Sequence, residues 1–411
     1  MKETTFEPLN IQDVKTERDA LNQLLHTGAL RMLMSALETE VAHYIAENSS
    51  SKDSSGHRQV VRNGYSQERT LNTEIGSLRL KQPRVNDKRP GQQFESNIIP
   101  KYARNSPTIE KLIPVLYLKG ISTGQFQQVL EPLFGEKAKG LSAQVISKLI
   151  KVWETDYDNW NKRDLSNKEY VYLWADGIYS NVRLDDDRVC TLVILGTLPD
   201  GRKELVSVID GYRESTLSWK ELLLDLKKRG LKKAPKIAVA DGALGFWKAI
   251  SEVFPETKAQ RCWVHKTANI LDKMPKKVQV HAKKHLHEIY MAETKKDALN
   301  AYDYFLELYS AKYPKACLCL KKDKDSLFTF FDFPAKHWQH IRTSNPIEST
   351  FATVRHRTKR TKGRGTRKAT VTMVWKMILD SQNSWRKIRG YSLIYKVMQG
   401  VEFVDGIEKV A

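Results

Sequence analysis

The sequence lacks the features that would place it outside the soluble globular proteins. Its four cysteines are too few for a disulfide framework in 411 residues, which favours a reducing compartment. Its longest apolar run, CTLVILGTL at residues 190–198, is too short to cross a bilayer, and the opening MKETTFEPLN lacks the apolar stretch of a secretory signal. We therefore expect a soluble, intracellular protein with no membrane partner.

Acidic residues are also in deficit, with 48 Asp and Glu against 68 Lys and Arg, a formal charge of +20. The partner that such an excess favours is a polyanion, most commonly nucleic acid. A basic surface that serves only solubility is the alternative. Because 41% of the residues are hydrophobic, the chain can bury a core, which excludes wholesale disorder.

Tryptophan is absent from the first 150 residues, and all nine lie between Trp153 and Trp385. Large aromatic residues need a large core, so we expect the main domain to begin near residue 165, after smaller modules. The predicted segments are an N-terminal helical segment (1–50), a small basic β-element (51–105), a helical module (106–165), the first part of an α/β core (166–265), an α-helical insertion (266–340) and the second part of the core with basic helices (341–411).

The segments before the core carry two helical patterns. An apolar stripe from Leu30 to Ile45 predicts a helix that packs on the rest of the chain or on a second copy, and it is a candidate dimer contact. Three short helical runs follow at 109–118, 123–130 and 142–153. The Gly and Pro residues that end these runs are typical of a helix-turn-helix DNA-binding module and equally of a compact helical bundle.

The core shows a β-β-β-α-β-α-β order of elements, which predicts a mixed sheet flanked by helices. The predicted elements are strands at 170–175, 188–198, 204–209, 236–240 and 258–264, with helices at 217–228 and 244–253.

Two aspartates share one local context in this sheet. Asp176 follows the strand VYLWA and Asp241 follows KIAVA, and each is followed by glycine. Acidic residues where strands end lie at the sheet edge that open α/β folds use for their sites, and their oxygens suit Mg²⁺. Asp-Gly is also a common turn dipeptide. The matching contexts favour a site.

Glu348 in SNPIES is a third candidate. With Asn345 as N-cap and Pro346 as first helical residue, it occupies the third position, where a glutamate closes a capping box. The local sequence favours that structural role. The same geometry would also hold a carboxylate at a helix start, beside whatever lies next to it.

Cys262 and His265 form a C-x-x-H pair. Cys317 and Cys319 could complete a four-ligand zinc site, but the C-x-C spacing is unusual and Cys317 falls in a predicted helix. We therefore expect no zinc. The favoured interpretation is that Cys262 is buried and His265 packs or hydrogen-bonds near the carboxylates.

A basic tract, RHRTKRTKGRGTRK at 355–368, follows Glu348 and contains eight Lys and Arg with no acid. A solvated charge run is the usual explanation for such a segment. Its place directly after Glu348 favours contact with DNA phosphates. The candidate DNA-binding residues are Arg355, Arg357, Lys359, Arg360, Lys362 and Arg364.

Together these motifs resemble the bacterial Mutator-like insertion-sequence transposases. The resemblance rests on the two Asp-Gly strands, RCWVH, SNPIES with its basic helix, and NGYSQERTL…IGSLRLKQPRV, with gaps of 65 and 107 residues between the acids. It implies an RNase H-like core with a helical insertion and a DDE triad of Asp176, Asp241 and Glu348.

The family resemblance further implies two Mg²⁺ or Mn²⁺ ions held by these carboxylates, with cleavage and strand transfer at an element's terminal inverted repeats. The expected partners are double-stranded DNA and further copies of the chain, in the bacterial cytoplasm at the nucleoid. Two alternatives stay open. They are a non-catalytic DNA-binding regulator derived from a transposase, and an RNase H-like nuclease or resolvase.

Overall fold

The structure, a computed structural model, describes residues 17–119, 121, 143–181, 189–211, 213–242, 244–361 and 366–409. For residues 17–19, 143–146, 244 and 358–361 it describes only the backbone. The chain divides into two compact units, residues 1–149 and 150–411.

The N-terminal unit opens with a long helix and a set of short strands. Its elements are α1 (Glu17–Glu47), β1 (Val60–Tyr65), β2 (Arg69–Thr73), β3 (Gly76–Leu80), β4 (Pro83–Asp87) and α2 (Pro107–Leu118), and α3 (Ala143–Asn161) spans the boundary between the units. β1 pairs with β4 and β2 with β3, both antiparallel. The β2–β3 turn lies at residues 74–75.

The apolar stripe of α1 packs on the chain itself. Leu37 and Val41 are each only 1% exposed, and Leu37 belongs to a cluster with Leu71 and Leu80 of the β2–β3 hairpin. The sequence predicted that the stripe packs on the rest of the chain or on a second copy, and the structure shows it packed on the chain itself. The hairpin covers the centre of the stripe, and a dimer contact through its other residues stays a prediction.

The three helical runs predicted for 106–165 are described in part. α2 and α3 correspond to the first and third runs, whereas the second lies outside the described residues. The Ser106 hydroxyl accepts a hydrogen bond from the Ile109 N–H at the start of α2, which is a typical N-cap.

The C-terminal unit contains a five-stranded sheet and many helices. Its strands are β5 (Tyr172–Ser180), β6 (Val189–Thr197), β7 (Lys203–Gly211), β8 (Ile237–Ala240) and β9 (Lys258–Arg261), with a short β10 (Phe403–Val404) and β11 (Ile407–Glu408) near the end. Its helices are α4 (Thr216–Lys228), α5 (Leu244–Val253), α6 (Trp263–Leu271), α7 (Lys276–Met291), α8 (Lys295–Tyr309), α9 (Pro314–Lys321), α10 (Lys324–Leu327), α11 (Trp338–Ile341), α12 (Asn345–Thr361), α13 (Arg367–Gln382) and α14 (Ile394–Met398).

The strand order in the sheet is β7-β6-β5-β8-β9. β5, β6 and β7 form an antiparallel meander, because their connections are short. β8 and β9 join through helices and run parallel to β5. The predicted mixed sheet is confirmed, with β5 at its centre.

Helices cover both faces of this sheet. α4 and α5 bury one face in a core that includes Ala175, Ala240 and Trp219. On the other face, α12 packs against β5 and α13 against β6 and β7. β6 is buried along its whole length, which explains why its sequence is a continuous apolar run. None of the helices in the described ranges is both long enough and apolar enough to cross a membrane.

Candidate active site

Asp176 and Asp241 lie side by side at the point where β8 ends. The parallel register pairs Ala175 of β5 with Ala240 of β8, so the next residue on each strand is an aspartate. Adjacent strands lie about 4.8 Å apart. Because side chains alternate along a strand, Asp176 also faces the side of the sheet opposite the Ala175–Ala240 core.

The sequence pattern placed the end of the first strand too early. β5 continues past Asp176 to Ser180, and Asp176 pairs with Val193 of β6. The extension exists because the β6 partner is long, whereas β8 stops at Ala240. Asp176 therefore lies inside a strand but beyond the last β8 residue.

Each aspartate is held by one oxygen. The Gly177 N–H donates to Asp176 Oδ1 at 2.8 Å. Asp241 Oδ1 accepts from the Gly242 N–H and from the Arg261 guanidinium. In the part of the chain that the structure describes, the second oxygen of each aspartate accepts no hydrogen bond.

Arg261 is a buried cation between two acids. Its side chain is 4% exposed and forms ion pairs with Asp241 and, at 3.2 Å, with Asp323. Lys266 also pairs with Asp323 at 2.6 Å. Arg261 therefore orients Asp241 from a fixed position.

Glu348 lies near the start of α12, but the capping box predicted for it is wrong. The helix begins at Asn345, one residue earlier than predicted, and Ser344 precedes it. The Ser344 hydroxyl donates to Glu348 Oε1 at 2.6 Å. This contact holds the carboxylate by one oxygen, and Oε2 accepts no hydrogen bond from the described residues.

Cys262 and His265 complete the surroundings of Glu348. β9 ends at Arg261, earlier than predicted, because α6 starts at Trp263 and turns His265 back toward the sheet. Cys262 is buried, as expected, and its Sγ lies 3.1 Å from the Ser344 hydroxyl. His265 Nε2 lies 3.7 Å from Glu348 Oε1.

These residues form a small set of donor atoms. Cys262, His265 and Glu348 offer ligand atoms that all lie within 4.8 Å of one another, and among the described residues this is the one such group of three. Asp176, Asp241 and Glu348 are not all within that distance of each other. Cys317 and Cys319, the other thiols of the predicted zinc alternative, lie on α9 and do not join the group.

His265 is the electrostatic centre of the site. Its hydrogen bond with Cys262 raises its pKa to about 9, and the nearby charges of Asp241 and Glu348 act in the same direction. Burial opposes ionisation of the Cys262 thiol, but hydrogen bonds from His265 and Ser344 outweigh it and lower its pKa. These contacts therefore favour the protonated, positively charged form of His265.

Burial is the largest influence on the pKa of Asp176. It raises the pKa of this carboxyl to about 7, although the positive charge of His265 favours ionisation. The neighbouring charges of Glu214 and Asp241 raise the pKa of Asp176 further. His265 thus lies within electrostatic range of all three predicted carboxylates.

Glu214 is an acidic neighbour that the sequence pattern missed. It lies in the connection between β7 and α4, directly before the N-cap residue Ser215. Burial and the charge of Asp241 raise its pKa. A single acid before a helix carries no distinctive spacing, so no sequence signal could have singled it out.

The basic tract splits between surface and interior. Arg355 is exposed, whereas Arg357 is 1% exposed, and burial lowers the pKa of Arg357 to about 10. The DNA contact predicted for Arg357 therefore does not fit this structure. The reason is the helical repeat: buried Phe351 and Val354 form a stripe that reaches position 357.

The other four candidate DNA-binding residues have no described side chains. The side chains of Lys359 and Arg360 and the residues Lys362 and Arg364 lie outside the described part. Beyond them, Arg367 forms two 2.9 Å hydrogen bonds with Asp210.

Comparison with known proteins shows the family of the chain. A sequence model of the Mutator family of transposases matches residues 1–388. The chain belongs to this family. It is 49% identical over 298 residues to the transposase for insertion sequence element IS6120 of Mycolicibacterium smegmatis, which covers 72% of this chain and 92% of that protein.

Two further relatives are also transposases of insertion sequence elements. The transposase for element IST2 of Acidithiobacillus ferrooxidans is 47% identical over 281 residues, 68% of this chain and 95% of that protein. The transposase for element ISRM5 of Rhizobium meliloti is 28% identical over 378 residues, 91% of this chain and 90% of that protein. The predicted family is thus confirmed, and these relatives support a function of the chain in transposition.

Proposed function

We propose that this transposase is a DDE enzyme in which Asp176, Asp241 and Glu348 hold two Mg²⁺ or Mn²⁺ ions. The observation that carries the proposal is the pair of Asp176 and Asp241 at the end of β8 with Glu348 beside His265, each carboxylate held by one oxygen with the other available. A donor set of carboxylate oxygens suits a hard cation. The ions would supply neutralisation of the phosphate charge, activation of a water or 3′-hydroxyl, and stabilisation of the leaving oxygen.

The remaining residues of the site orient these carboxylates. Arg261 fixes Asp241 and Ser344 fixes Glu348, so neither carboxylate must be ordered when an ion binds. Cys262 Sγ and His265 Nδ1 contact the Ser344 hydroxyl at 3.1 and 3.3 Å and hold it in place. This supporting layer is the role that we assign to the C-x-x-H pair.

The proposal extends to the fold and the substrate. The order β7-β6-β5-β8-β9 supports an RNase H-like core, and the helical residues between β9 and α12 support an insertion. The substrate is double-stranded DNA at the terminal inverted repeats of an element. We expect at least two copies to act together, since two ends must be processed.

The test is a set of three isosteric variants: Asp176→Asn, Asp241→Asn and Glu348→Gln. Each should lower Mg²⁺-dependent cleavage and strand transfer on an element-end duplex by about a thousandfold or more, because each removes an anionic ligand. Binding of the same duplex, measured by gel mobility shift in EDTA, should stay within about threefold of the parent, since a lost carboxylate removes no basic phosphate contact.

Asp303→Asn, an exposed position on α8, is the matched control and should cleave at the parental rate. Parental cleavage by the Glu348→Gln variant would remove Glu348 from the triad. Cutting without joining by the unaltered protein would favour a nuclease.

A further inference from the structure

Two carboxylates at the site lack the direct ion pair that the other two form. Asp241 pairs with Arg261, and Glu348 lies 3.7 Å from His265. Within the described ranges, neither Asp176 nor Glu214 forms an ion pair with a lysine, arginine or histidine.

Gly177 brings these two acids together. The Gly177 N–H bonds Asp176 Oδ1, and on the opposite face of β5 the glycine has no side chain. The Glu214 carboxylate fills that space. A Cβ placed on Gly177 would lie 2.6 Å from Glu214 Oε1 and 2.7 Å from Glu214 Cδ. Glu214 therefore packs directly on the backbone next to Asp176.

The main chain of Glu214 is also held closely. A Cβ on Gly245, in the first turn of α5, would lie 2.7 Å from the Thr216 N and 2.8 Å from the Ser215 carbonyl carbon. The connection that carries Glu214 thus packs closely against β5 at Gly177 and against α5 at Gly245. Because β8 ends at Ala240, no strand separates Glu214 from the edge where Asp176 and Asp241 lie.

We propose that Glu214 is a fourth carboxylate of the active centre, which reaches across Gly177 and shares with Asp176 the divalent cation bound there. This inference rests on the proposed metal-dependent function and adds a residue to it. Glu214 approaches from the α4 side of the sheet, whereas Glu348 approaches from the α12 side.

The first test compares Glu214→Gln with Glu221→Gln, an exposed position on α4 that loses the same charge. Binding of Mn²⁺ alone is titrated by the electron paramagnetic resonance signal of the free ion. Glu214→Gln should raise the half-saturating Mn²⁺ concentration about ten- to hundredfold, and Glu221→Gln should leave it unchanged. A parental half-saturation in Glu214→Gln would overturn the proposal.

Thermal unfolding in EDTA separates this role from a structural one. Glu214→Gln should unfold at the parental temperature or higher, because it removes a negative charge that forms no direct ion pair. A lower unfolding temperature together with parental Mn²⁺ binding would identify Glu214 as a purely structural residue.

A second pair of variants tests the contact itself. Gly177→Ala should weaken Mn²⁺ binding as Glu214→Gln does, because its methyl group displaces the Glu214 carboxylate. In a Glu214→Ala background the same methyl group has room, so the added change should have little further effect. Fully additive effects of the two changes on Mn²⁺ binding would contradict the contact.

Asp176→Asn distinguishes failure of this inference from failure of the proposed function. If Asp176→Asn abolishes Mn²⁺ binding while Glu214→Gln binds like the parent, only the fourth carboxylate is wrong. If Asp176→Asn also binds Mn²⁺ like the parent, the metal site of the proposed function is wrong as well.

Discussion

At the scale of single residues, the glycine after each aspartate serves a close approach rather than a turn. Neither Gly177 nor Gly242 has the positive φ that would require glycine for conformational reasons. Each leaves room for a charged side chain, Glu214 at Gly177 and the Arg261 guanidinium at Gly242. The two Asp-Gly motifs thus look alike in sequence, but one accommodates an anion and the other a cation.

Arg261→Met tests this difference. Removing the buried cation leaves Asp241 and Asp323 without it, and we expect a loss of about 2–3 kcal/mol in EDTA, below the value for a fully buried pair because Asp241 is 37% exposed. Under the proposed function, saturating Mg²⁺ should restore part of this stability, since a bound cation replaces the lost charge.

The measurement is urea unfolding with and without Mg²⁺. Lys233→Met, which removes a cation paired with Glu169 at an exposed position, is the control and should change stability by less than about 1 kcal/mol. A Mg²⁺ effect no larger in Arg261→Met than in the parent would contradict the expectation.

At the scale of elements, α12 connects the site with the basic tract. Its buried stripe through Ile347, Phe351 and Val354 anchors the helix on the sheet, and its start presents Glu348. Basic residues two positions apart consequently differ in role. Arg355 lies on the surface, whereas Arg357 belongs to the buried stripe.

Arg355→Ala and Arg357→Met should therefore have different effects. Arg355→Ala should weaken DNA binding for all sequences and lower the slope of log affinity against log salt by about one, because it removes the phosphate contact predicted for this residue. Arg357→Met should keep the salt slope, since its guanidinium does not reach the surface. The check is a fluorescence anisotropy titration over a range of NaCl; a fall in slope for Arg357→Met alone would reverse the assignment.

At the scale of the whole molecule, each of the two units has its own hydrophobic core. In the N-terminal unit, α1 packs on the β2–β3 hairpin through Leu37. In the C-terminal unit, α4 and α5 pack on the sheet. Stability should accordingly be lost locally when one core is weakened.

Leu37→Ala should cost about 2–4 kcal/mol in the N-terminal unit, because it leaves a cavity beside Leu71 and Leu80. Hydrogen exchange of the β2–β3 amides should accelerate, while the β5 and β6 amides keep their protection. Met32→Ala, at a position 76% exposed on the same helix, is the control and should change neither. Equal acceleration in both units would show that they unfold together.

The sequence by itself predicted the order of strands and helices along the core and the two Asp-Gly strand ends, because both depend on local signals: apolar runs, turn residues and short motifs. For Glu348 the local sequence favoured a helix cap, and the family resemblance implied its place in the triad. The family resemblance rested on the same motifs. What only the tertiary structure decided depends on contacts between distant segments. These are the β5–β8 register that aligns Asp176 with Asp241, the approach of Glu214 to Gly177, and the hairpin that covers the α1 stripe. The burial of Arg357 is of the same kind, since only packing decides which side of a basic helix meets the core.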